Sequence, residues 1–171
     1  MEFQIEKALK EDYKEIAKLI ALVWQQLEEK DWFVADNADY TYHMLKKENG
    51  IGYKAVERAS RRLAGVFLIT FPGNSEENLG RDIGMEEDRL CRVAHMDSVA
   101  VLPEYRGNGL QVRLMQQGEE ELRKLGYSFL MCTVHPNNIY SKRNVLSQGY
   151  RLVAEKEKYG GYVRGIFLKE L

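Results

Sequence analysis

The sequence contains few of the residues that mark disulfide-rich, metal-binding or membrane proteins. Only two cysteines and three histidines occur among 171 residues, and none of them shows the close spacing of metal ligands. Two distant cysteines without a secretion signal predict reduced thiols and a cytoplasmic protein. No apolar run approaches the roughly 20 residues that a membrane-spanning helix needs. We therefore expect no metal site, no disulfide and no membrane contact.

The sequence also lacks an excess of either charge. Twenty-five Lys and Arg stand against 26 Asp and Glu, which gives a formal net charge of -1 at pH 7. Nucleic-acid binding usually needs a basic face or stripe, so we expect a small-molecule or peptide partner instead. The length suits one domain over residues 1–171, either as a monomer or as a homodimer.

The periodicity of apolar residues predicts an α/β domain with a mixed sheet. Four helices are indicated, at 13–27, 36–47, 110–124 and 138–148. Short apolar or alternating runs predict strands at 4–6, 53–57, 63–71, 90–102, 128–134, 150–156 and 163–169. The polar stretch 72–88 is predicted to be a long connection with at most a short helix.

A glycine turn joins the strand over 90–102 to the helix over 110–124. Gly107 and Gly109 stand beside Arg106 in this turn. Such a turn leaves backbone N–H groups pointing out of the helix N-terminus, where they form an anion site. Glycine lets a phosphate approach the backbone closely, and arginine adds a charged contact. The alternative is a tight structural corner, and the spacing matches neither a dinucleotide-binding fingerprint nor a P-loop.

Two segments resemble the GCN5-related N-acetyltransferase (GNAT) family. The stretch SVAVLPEYRGNGL over 98–110 is similar to the family's acetyl-CoA binding motif, except that Glu104 stands where the family has Gln or Arg. The stretch VHPNNIYSKRNVLSQGY over 134–150 resembles its later strand, helix and Gly-aromatic pair. The resemblance implies a single-domain GNAT-like fold, with a mixed, mostly antiparallel central sheet of about seven strands flanked by four helices.

The resemblance further implies that acetyl-CoA is the co-substrate and that its acetyl group passes directly to a primary amine of a small molecule or peptide. The pantetheine arm would lie between the strands ending at Val101 and Val134, and a strand N–H near Val99 would stabilise the oxyanion. The implied co-substrate contacts are Val99, Ala100, Val101, Arg106, Gly107, Asn108, Gly109, Leu110, Gln111, Asn138 and Ser141.

The strand over 90–102 offers two candidates for the general base. By the two-residue period of a strand, His95 and Asp97 share a face with Val99 unless a bulge intervenes. Each has a structural alternative: Asp97 pairs with a cation or caps a turn, and His95 is a half-buried polar residue. His135, at the end of a strand, is a minor candidate, whereas Cys132 is expected to be a buried, inert thiol.

The general acid is the point where the resemblance fails. The family's usual tyrosine falls on Val145. Tyr140 is the nearest phenol, and it either lines the thioester channel or only packs. Five helical steps separate the two positions, so Tyr140 cannot simply replace that tyrosine. The gap leaves open an alternative function, a catalytically silent domain that binds CoA or an acyl-CoA as a sensor.

The acceptor cleft, by the same resemblance, is walled by the first two helices, the 72–88 connection and the last hairpin. The connection carries many acidic residues, which suit a cationic amine but are also typical of a solvated loop. These residues are Glu76, Glu77, Asp82, Glu86, Glu87 and Asp88. We expect most aromatic residues of the first wall to face the core, namely Trp24, Trp32, Phe33, Tyr40 and Tyr42.

Overall fold

The computed structural model describes residues 1–171 and contains one sheet of seven strands in the order β1-β2-β3-β4-β5-β7-β6. Only β4 and β5 run parallel; every other neighbouring pair is antiparallel. The predicted mixed, mostly antiparallel sheet is therefore confirmed. The strands are β1 (Phe3–Lys7), β2 (Gly50–Glu57), β3 (Leu63–Thr70), β4 (Val93–Val101), β5 (Phe129–Val134), β6 (Arg151–Lys158) and β7 (Tyr162–Glu170).

Four long helices flank the sheet, and two single-turn helices lie in the connection between β3 and β4. In chain order the helices are α1 (Tyr13–Gln25), α2 (Ala38–Lys46), α3 (Leu79–Asp82), α4 (Glu87–Leu90), α5 (Leu110–Lys124) and α6 (Ile139–Ser147). No helix combines the length and the apolar character needed to cross a bilayer. The four predicted helices correspond to α1, α2, α5 and α6, and the polar connection holds only the short turns.

The helices cover both faces of the sheet. The largest apolar cluster packs α5 and α6 on one face, around Phe67 and Leu114. On the opposite face, α1 and α2 cover β3 and β4, and α3 covers β5 and β7. Gly118 brings α5 close to the sheet, since a Cβ there would lie only 2.7 Å from the ring of Phe67.

The central strands β4 and β5 are paired over only part of their length. Their parallel ladder runs from the Val93–Phe129 pair to the His95–Met131 pair and then stops. Both strands continue beyond this point, to Val101 and Val134. The sheet therefore opens between them, and the opening faces the N-terminus of α5.

A bulge interrupts the pairing of β4 with β3. Leu68 is opposite Ser98, but Ile69 is opposite Met96, which leaves Asp97 as an extra residue outside the ladder. One extra residue reverses the alternation of side chains along a strand. Met96 and Val99 accordingly pack with the same cluster beneath α5, although they are three residues apart.

The bulge separates His95 from Val99. His95 points to the face opposite Val99, where it contacts the backbone of α3. A shared face was expected only for a strand without a bulge, and the register shift at Asp97 is that exception.

Candidate active site

A cleft of about 820 Å³ opens where β4 and β5 separate. Its walls come from both strands, the glycine turn, the first turns of α5 and α6, and the segment after α1. Mostly apolar walls with a few polar groups are typical of ligand sites. The predicted residues that line this cleft are Asp97, Val99, Val101, Arg106, Gly107, Gly109, Leu110, Gln111, Asn138, Tyr140 and Ser141.

Two predicted co-substrate contacts do not line the cleft. Ala100 packs on the opposite face of the sheet, in the cluster beneath α1. Asn108 instead stabilises the glycine turn, because its Nδ2 donates hydrogen bonds to the backbone oxygens of Tyr105 at 3.0 Å and Arg106 at 3.3 Å. Any role of Ala100 in binding would have to come from its backbone.

The glycine turn presents a row of unused backbone donors to the cleft. The N–H groups from Gly107 to Val112 make no hydrogen bond within the protein. Gly107 and Gly109 have φ angles of 80° and 67°, and a Cβ on either would meet no protein atom within 4 Å. The turn is therefore open toward the cleft, and its donors at the start of a 15-residue helix are arranged to bind an anion.

The second predicted segment places Asn138 and Ser141 at the start of α6. Asn138 caps this helix, since its Oδ1 accepts a hydrogen bond from the N–H of Ser141 at 3.0 Å. Both residues face the cleft. Val145, at the position of the family's tyrosine, is buried in the core, and Tyr140 is exposed at the cleft rim without a hydrogen bond to its hydroxyl.

The cleft reaches the point where the parallel ladder ends, which we call the apex. Four residues form the apex, namely Met96 and Asp97 on β4 with Cys132 and Thr133 on β5. The same four residues border an adjoining cavity of about 20 Å³. His95 and Tyr159 also border this cavity but do not line the cleft. Its volume is about that of one water molecule.

Asp97 is the ionisable residue of the apex. The bulge pushes its side chain into the cleft. Asp97 is exposed to the cleft, but the protein around its carboxyl displaces water. This desolvation, together with the charge of Asp36, raises the pKa of Asp97 to about 6, although a hydrogen bond from Ser98 opposes the shift. Asp97 forms no ion pair, and its carboxyl accepts a hydrogen bond only from the Ser98 hydroxyl and from no backbone N–H of a turn, so neither structural alternative applies. A carboxylate with this pKa is ionised at neutral pH and still accepts a proton readily.

His95 is held in a neutral state. The N–H of Leu79 donates a hydrogen bond to its Nε2 at 3.1 Å. Burial, aided by the charge of Lys158, lowers the pKa of His95 to about 4. A neutral imidazole that accepts at Nε2 carries its proton on Nδ1. His95 therefore has no free acceptor nitrogen for a substrate proton and corresponds to the structural alternative.

Two further carboxylates, Asp36 and Glu77, lie near Asp97 on the side where the sequence resemblance places the acceptor, which we call the acceptor side. Partial burial and the charge of Glu77 raise the pKa of Asp36. Burial and the charges of Asp36, Glu77 and Asp97 raise the pKa of Tyr40. None of the three carboxylates has a cationic partner, and they are not close enough to hold a metal ion together. The region therefore carries uncompensated negative charge.

The acidic connection divides into paired and unpaired residues. Asp82 lies 2.6 Å from the ammonium of Lys158, and Glu87 lies 2.6 Å from the guanidinium of Arg81. These ion pairs hold α3 and α4 in place. Asp82 and Glu87 therefore correspond to the solvated-loop alternative and not to an acceptor site. Glu77, by contrast, contributes its charge to the acceptor side.

A short segment after α1 covers the end of β5. Trp32 stacks on the ring of His135 with 6.4 Å between the centroids, and Nε2 of His135 lies 3.5 Å from the carboxylate of Asp31. Arg164 of β7 donates a hydrogen bond to the carbonyl oxygen of Asp31. Trp32 and Phe33 line the cleft as a result. The expectation that most of the aromatic wall faces the core is wrong, since none of its five residues is buried, although Phe33 packs in part against the cluster beneath α1.

Sequence reasoning missed Thr133 and Tyr159. The hydroxyl of Tyr159 lies 3.0 Å from Oγ1 of Thr133, at the β5 side of the apex. Tyr159 is the first residue of the turn between β6 and β7, which the sequence analysis located at Gly160 and Gly161. One sequence signal could have indicated Tyr159. It stands directly before two glycines, in a hairpin that the resemblance places beside the acceptor cleft. Cys132 is buried as expected, and burial raises its pKa to about 12.

The parallel strands β4 and β5, which separate beside a glycine turn, form the arrangement that the sequence resemblance implied. The family model described as "Acetyltransferase (GNAT) family" matches residues 21–150. The chain therefore belongs to the GNAT acetyltransferase family. No curated protein matches the sequence.

Solved structures show the same fold at low sequence identity. A GNAT acetyltransferase from Streptococcus pneumoniae is 17% identical, with a TM-score of 0.71 over 99% of this chain and 100% of its own. The ribosomal-protein-S18-alanine N-acetyltransferase from Escherichia coli is 16% identical, with a TM-score of 0.69 over 99% and 94%. A NatC complex bound to Gag peptide and CoA is 15% identical, with a TM-score of 0.72 over 100% and 99%. These similarities show the fold alone.

Proposed function

We propose that the protein transfers an acetyl group from acetyl-CoA to a primary amine that arrives as a cation. One observation carries this proposal. A single cleft joins the free N–H groups from Gly107 to Val112 with the raised-pKa carboxyl of Asp97. The first feature suits a pyrophosphate, and the second suits removal of a proton from an amine.

The residues present fit acetyl-CoA. The open glycine turn and Arg106 would hold the pyrophosphate, and the free edge of β4 at Val99 and Val101 would hold the pantetheine arm. Asn138 and Ser141 would face the same arm from the start of α6. Acetyl-CoA supplies an activated thioester when bound, and all other tasks fall to the protein.

The chemistry assigned to the protein is deprotonation and alignment. Asp97 takes a proton from the ammonium group, after which the amine nitrogen bonds to the acetyl carbon and the carbon–sulfur bond breaks. Holding the two reactants in one cleft removes much of the entropic barrier. The bulge leaves backbone groups of β4 outside the ladder beside Val99, and an N–H there would stabilise the oxyanion.

The negative charge of the acceptor side indicates that the acceptor amine is positively charged. Asp36, Glu77 and Asp97 lack cationic partners, so they favour an ammonium ion over a neutral or anionic acceptor. Trp32 and Phe33 supply an apolar wall for the rest of the molecule. A small cationic amine and a peptide amine both fit this description.

A second candidate function has one specific observation in its favour. The position of the family's tyrosine is the buried Val145, and the hydroxyl of Tyr140 has no partner. A domain without a proton donor would bind CoA or acyl-CoA as a sensor and release no product.

Calorimetric titration with acetyl-CoA, CoA and NADH, followed by a thiol-release screen over a panel of amines, tests both functions. Binding of both CoA compounds but not NADH, with amine-dependent thiol release, is the expected result. Binding without release from any amine would leave the sensor function. Lack of CoA binding would show that the glycine turn is only a structural corner.

A further inference from the structure

The cleft wall differs in chemistry between its two ends, and the difference bears on which amine is acetylated. This inference rests on the proposed function. Polar side chains line the cleft beside the glycine turn and along α5 and α6, among them Arg106, Gln111 and Asn138. The residues that α1 and the segment after it contribute are all apolar, namely Val23, Leu27, Trp32 and Phe33.

Asp97 is the only carboxylate that lines the cleft. Asp36 acts on Asp97 through its charge, but neither Asp36 nor Glu77 is part of the lining. An acceptor therefore meets one carboxylate for its ammonium group and an apolar wall for the rest of the molecule. A second ammonium group on that wall would lose its hydration without gaining a carboxylate partner.

Trp32 is the largest residue of the apolar wall, and contacts outside the cleft hold its indole ring. The ring stacks on His135, with 6.4 Å between the centroids and 23° between the planes. Nε2 of His135 lies 3.5 Å from the carboxylate of Asp31, and the buried Arg164 donates a hydrogen bond to the carbonyl oxygen of Asp31. His135 does not line the cleft, so the rest of the indole remains available to a ligand.

Phe33 continues the wall beside Trp32. It packs in part against the cluster beneath α1 and also lines the cleft. Both aromatic residues are only partly buried. A flat apolar group packed on them would remove this surface from water, and a ring that is already fixed loses little entropy when a second ring packs against it.

We propose that the acceptor is a small primary amine with an aromatic body, and that Trp32 selects it. The ammonium group lies at Asp97 and the aromatic ring against Trp32 and Phe33. The acetyl carbon exchanges its bond to sulfur for a bond to nitrogen, and the products are the N-acetyl amide, the free thiol of CoA and one proton. A linear diamine places a second charge on the apolar wall, and a peptide brings amide groups that the wall's side chains cannot bind.

Trp32→Ala tests the selection through the ratio of two acceptors. In the wild type, kcat/KM should be higher for phenylethylamine than for butylamine, and Trp32→Ala should reduce this ratio about tenfold, mainly through KM. Both amines carry the same ammonium group, so the ratio cancels a general loss of stability or of thioester alignment. Trp24→Ala is the matched control, because Trp24 is exposed and does not line the cleft, and it should keep the wild-type ratio.

His135 is a positioning residue in this proposal, since it supports the indole and does not line the cleft. His135→Ala removes the ring that stacks on Trp32, so it should raise KM for phenylethylamine more than it lowers kcat. His135→Phe restores an aromatic surface and should return KM most of the way to the wild-type value. Equal KM values for the two variants would contradict the positioning role.

Tryptophan fluorescence gives a readout that needs no acetyl transfer. The chain has two tryptophans, Trp24 and Trp32, so Trp24→Phe leaves Trp32 as the only one. Titration of this variant with phenylethylamine in the presence of CoA should change the Trp32 emission until it saturates. Diaminobutane at the same concentrations should change it much less. An equal response to the diamine would contradict the aromatic preference, because an ammonium ion can also bind a tryptophan face.

The outcomes separate the two proposals. Wild-type protein that acetylates no amine would overturn the proposed function and this inference with it. Active wild type that prefers diaminobutane or the dipeptide phenylalanylglycine to phenylethylamine would overturn only this inference. An unchanged acceptor ratio in Trp32→Ala, or a Trp32 emission that does not respond to phenylethylamine, would also overturn it and leave the proposed function intact.

Discussion

The backbone N–H of Leu79 donates a hydrogen bond to Nε2 of His95 at 3.1 Å. This contact connects α3 to the strand that lines the cleft and uses the imidazole's acceptor nitrogen. His95 thereby anchors the connection between β3 and β4, while the neighbouring bulge directs Asp97 into the cleft. Of the two predicted bases, only Asp97 keeps a free acceptor.

Asp97→Asn should lower kcat/KM about 100-fold at pH 7, since the general base is lost. The deficit should shrink at high pH, where the amine is deprotonated by solvent. Wild-type activity should decline below about pH 6, in line with the pKa of Asp97. A pH–rate profile of both proteins checks this, and Asp88→Asn, in α4 before β4, is the control. An unchanged profile in Asp97→Asn would remove Asp97 from the mechanism.

Asp97→Asn should also raise the melting temperature at pH 8. The folded protein binds the Asp97 proton with a pKa of about 6, above the ordinary value of 3.8. The folded state therefore holds more protons than the unfolded chain between these values, and stability falls as the pH rises through them. Thermal unfolding of both proteins at pH 4 and pH 8 measures the effect, which should be absent at pH 4.

The wild-type protein should lose stability at acid pH because of His95, and His95→Gln should not show this loss. The pKa of His95 falls from 6.5 to about 4 on folding, so the unfolded chain binds more protons between these values. Wild-type stability is full above pH 6.5 and declines as the pH falls toward 4. Glutamine does not titrate, and its Oε1 can accept the Leu79 N–H. Thermal unfolding over this pH range measures the effect, and His43→Gln, at an exposed histidine, is the matched control.

Gly107→Val should weaken CoA binding by at least about tenfold, or about 1.4 kcal/mol. A side chain would strain the backbone at φ 80° and occupy the approach to the free N–H groups. Gly73→Val introduces comparable strain at φ 53° outside the cleft. Both variants should lose stability, but only Gly107→Val should lose affinity in a calorimetric titration. Wild-type affinity in Gly107→Val would contradict the phosphate site.

Tyr150→Phe should lower the free energy of unfolding by about 1–3 kcal/mol. The Tyr150 hydroxyl donates a hydrogen bond to Oε1 of the buried Glu119 at 2.9 Å, while Lys169 lies 2.6 Å from Oε2. Phenylalanine has no hydroxyl and therefore leaves the Glu119 carboxylate with one hydrogen-bond partner fewer. Urea denaturation measures the loss, and Tyr53→Phe, whose hydroxyl makes no hydrogen bond, should change stability much less.

The bounds of helices and strands were predicted correctly where the periodicity of apolar residues agreed with the glycines at the ends of the element. Helix α5 begins at Leu110 and ends at Lys124 as predicted, because Gly109 and Gly126 bound a clear helical period. The start of β4 was predicted three residues early. Leu90 has a strand-like apolar neighbourhood, but it ends α4 and is fully buried. A leucine at such a boundary is compatible with the end of a helix and with the start of a strand, so tertiary packing decides which of the two forms.

The fold, the glycine turn and the family could all be predicted from periodicity and short motifs, which are properties of neighbouring residues. The arrangement at the apex became visible only in the folded structure. The bulge at Asp97 depends on the register between β3 and β4, and the Tyr159–Thr133 contact joins residues 26 positions apart. Local periodicity cannot encode either feature, since register and long-range contact arise only when separate segments pack together.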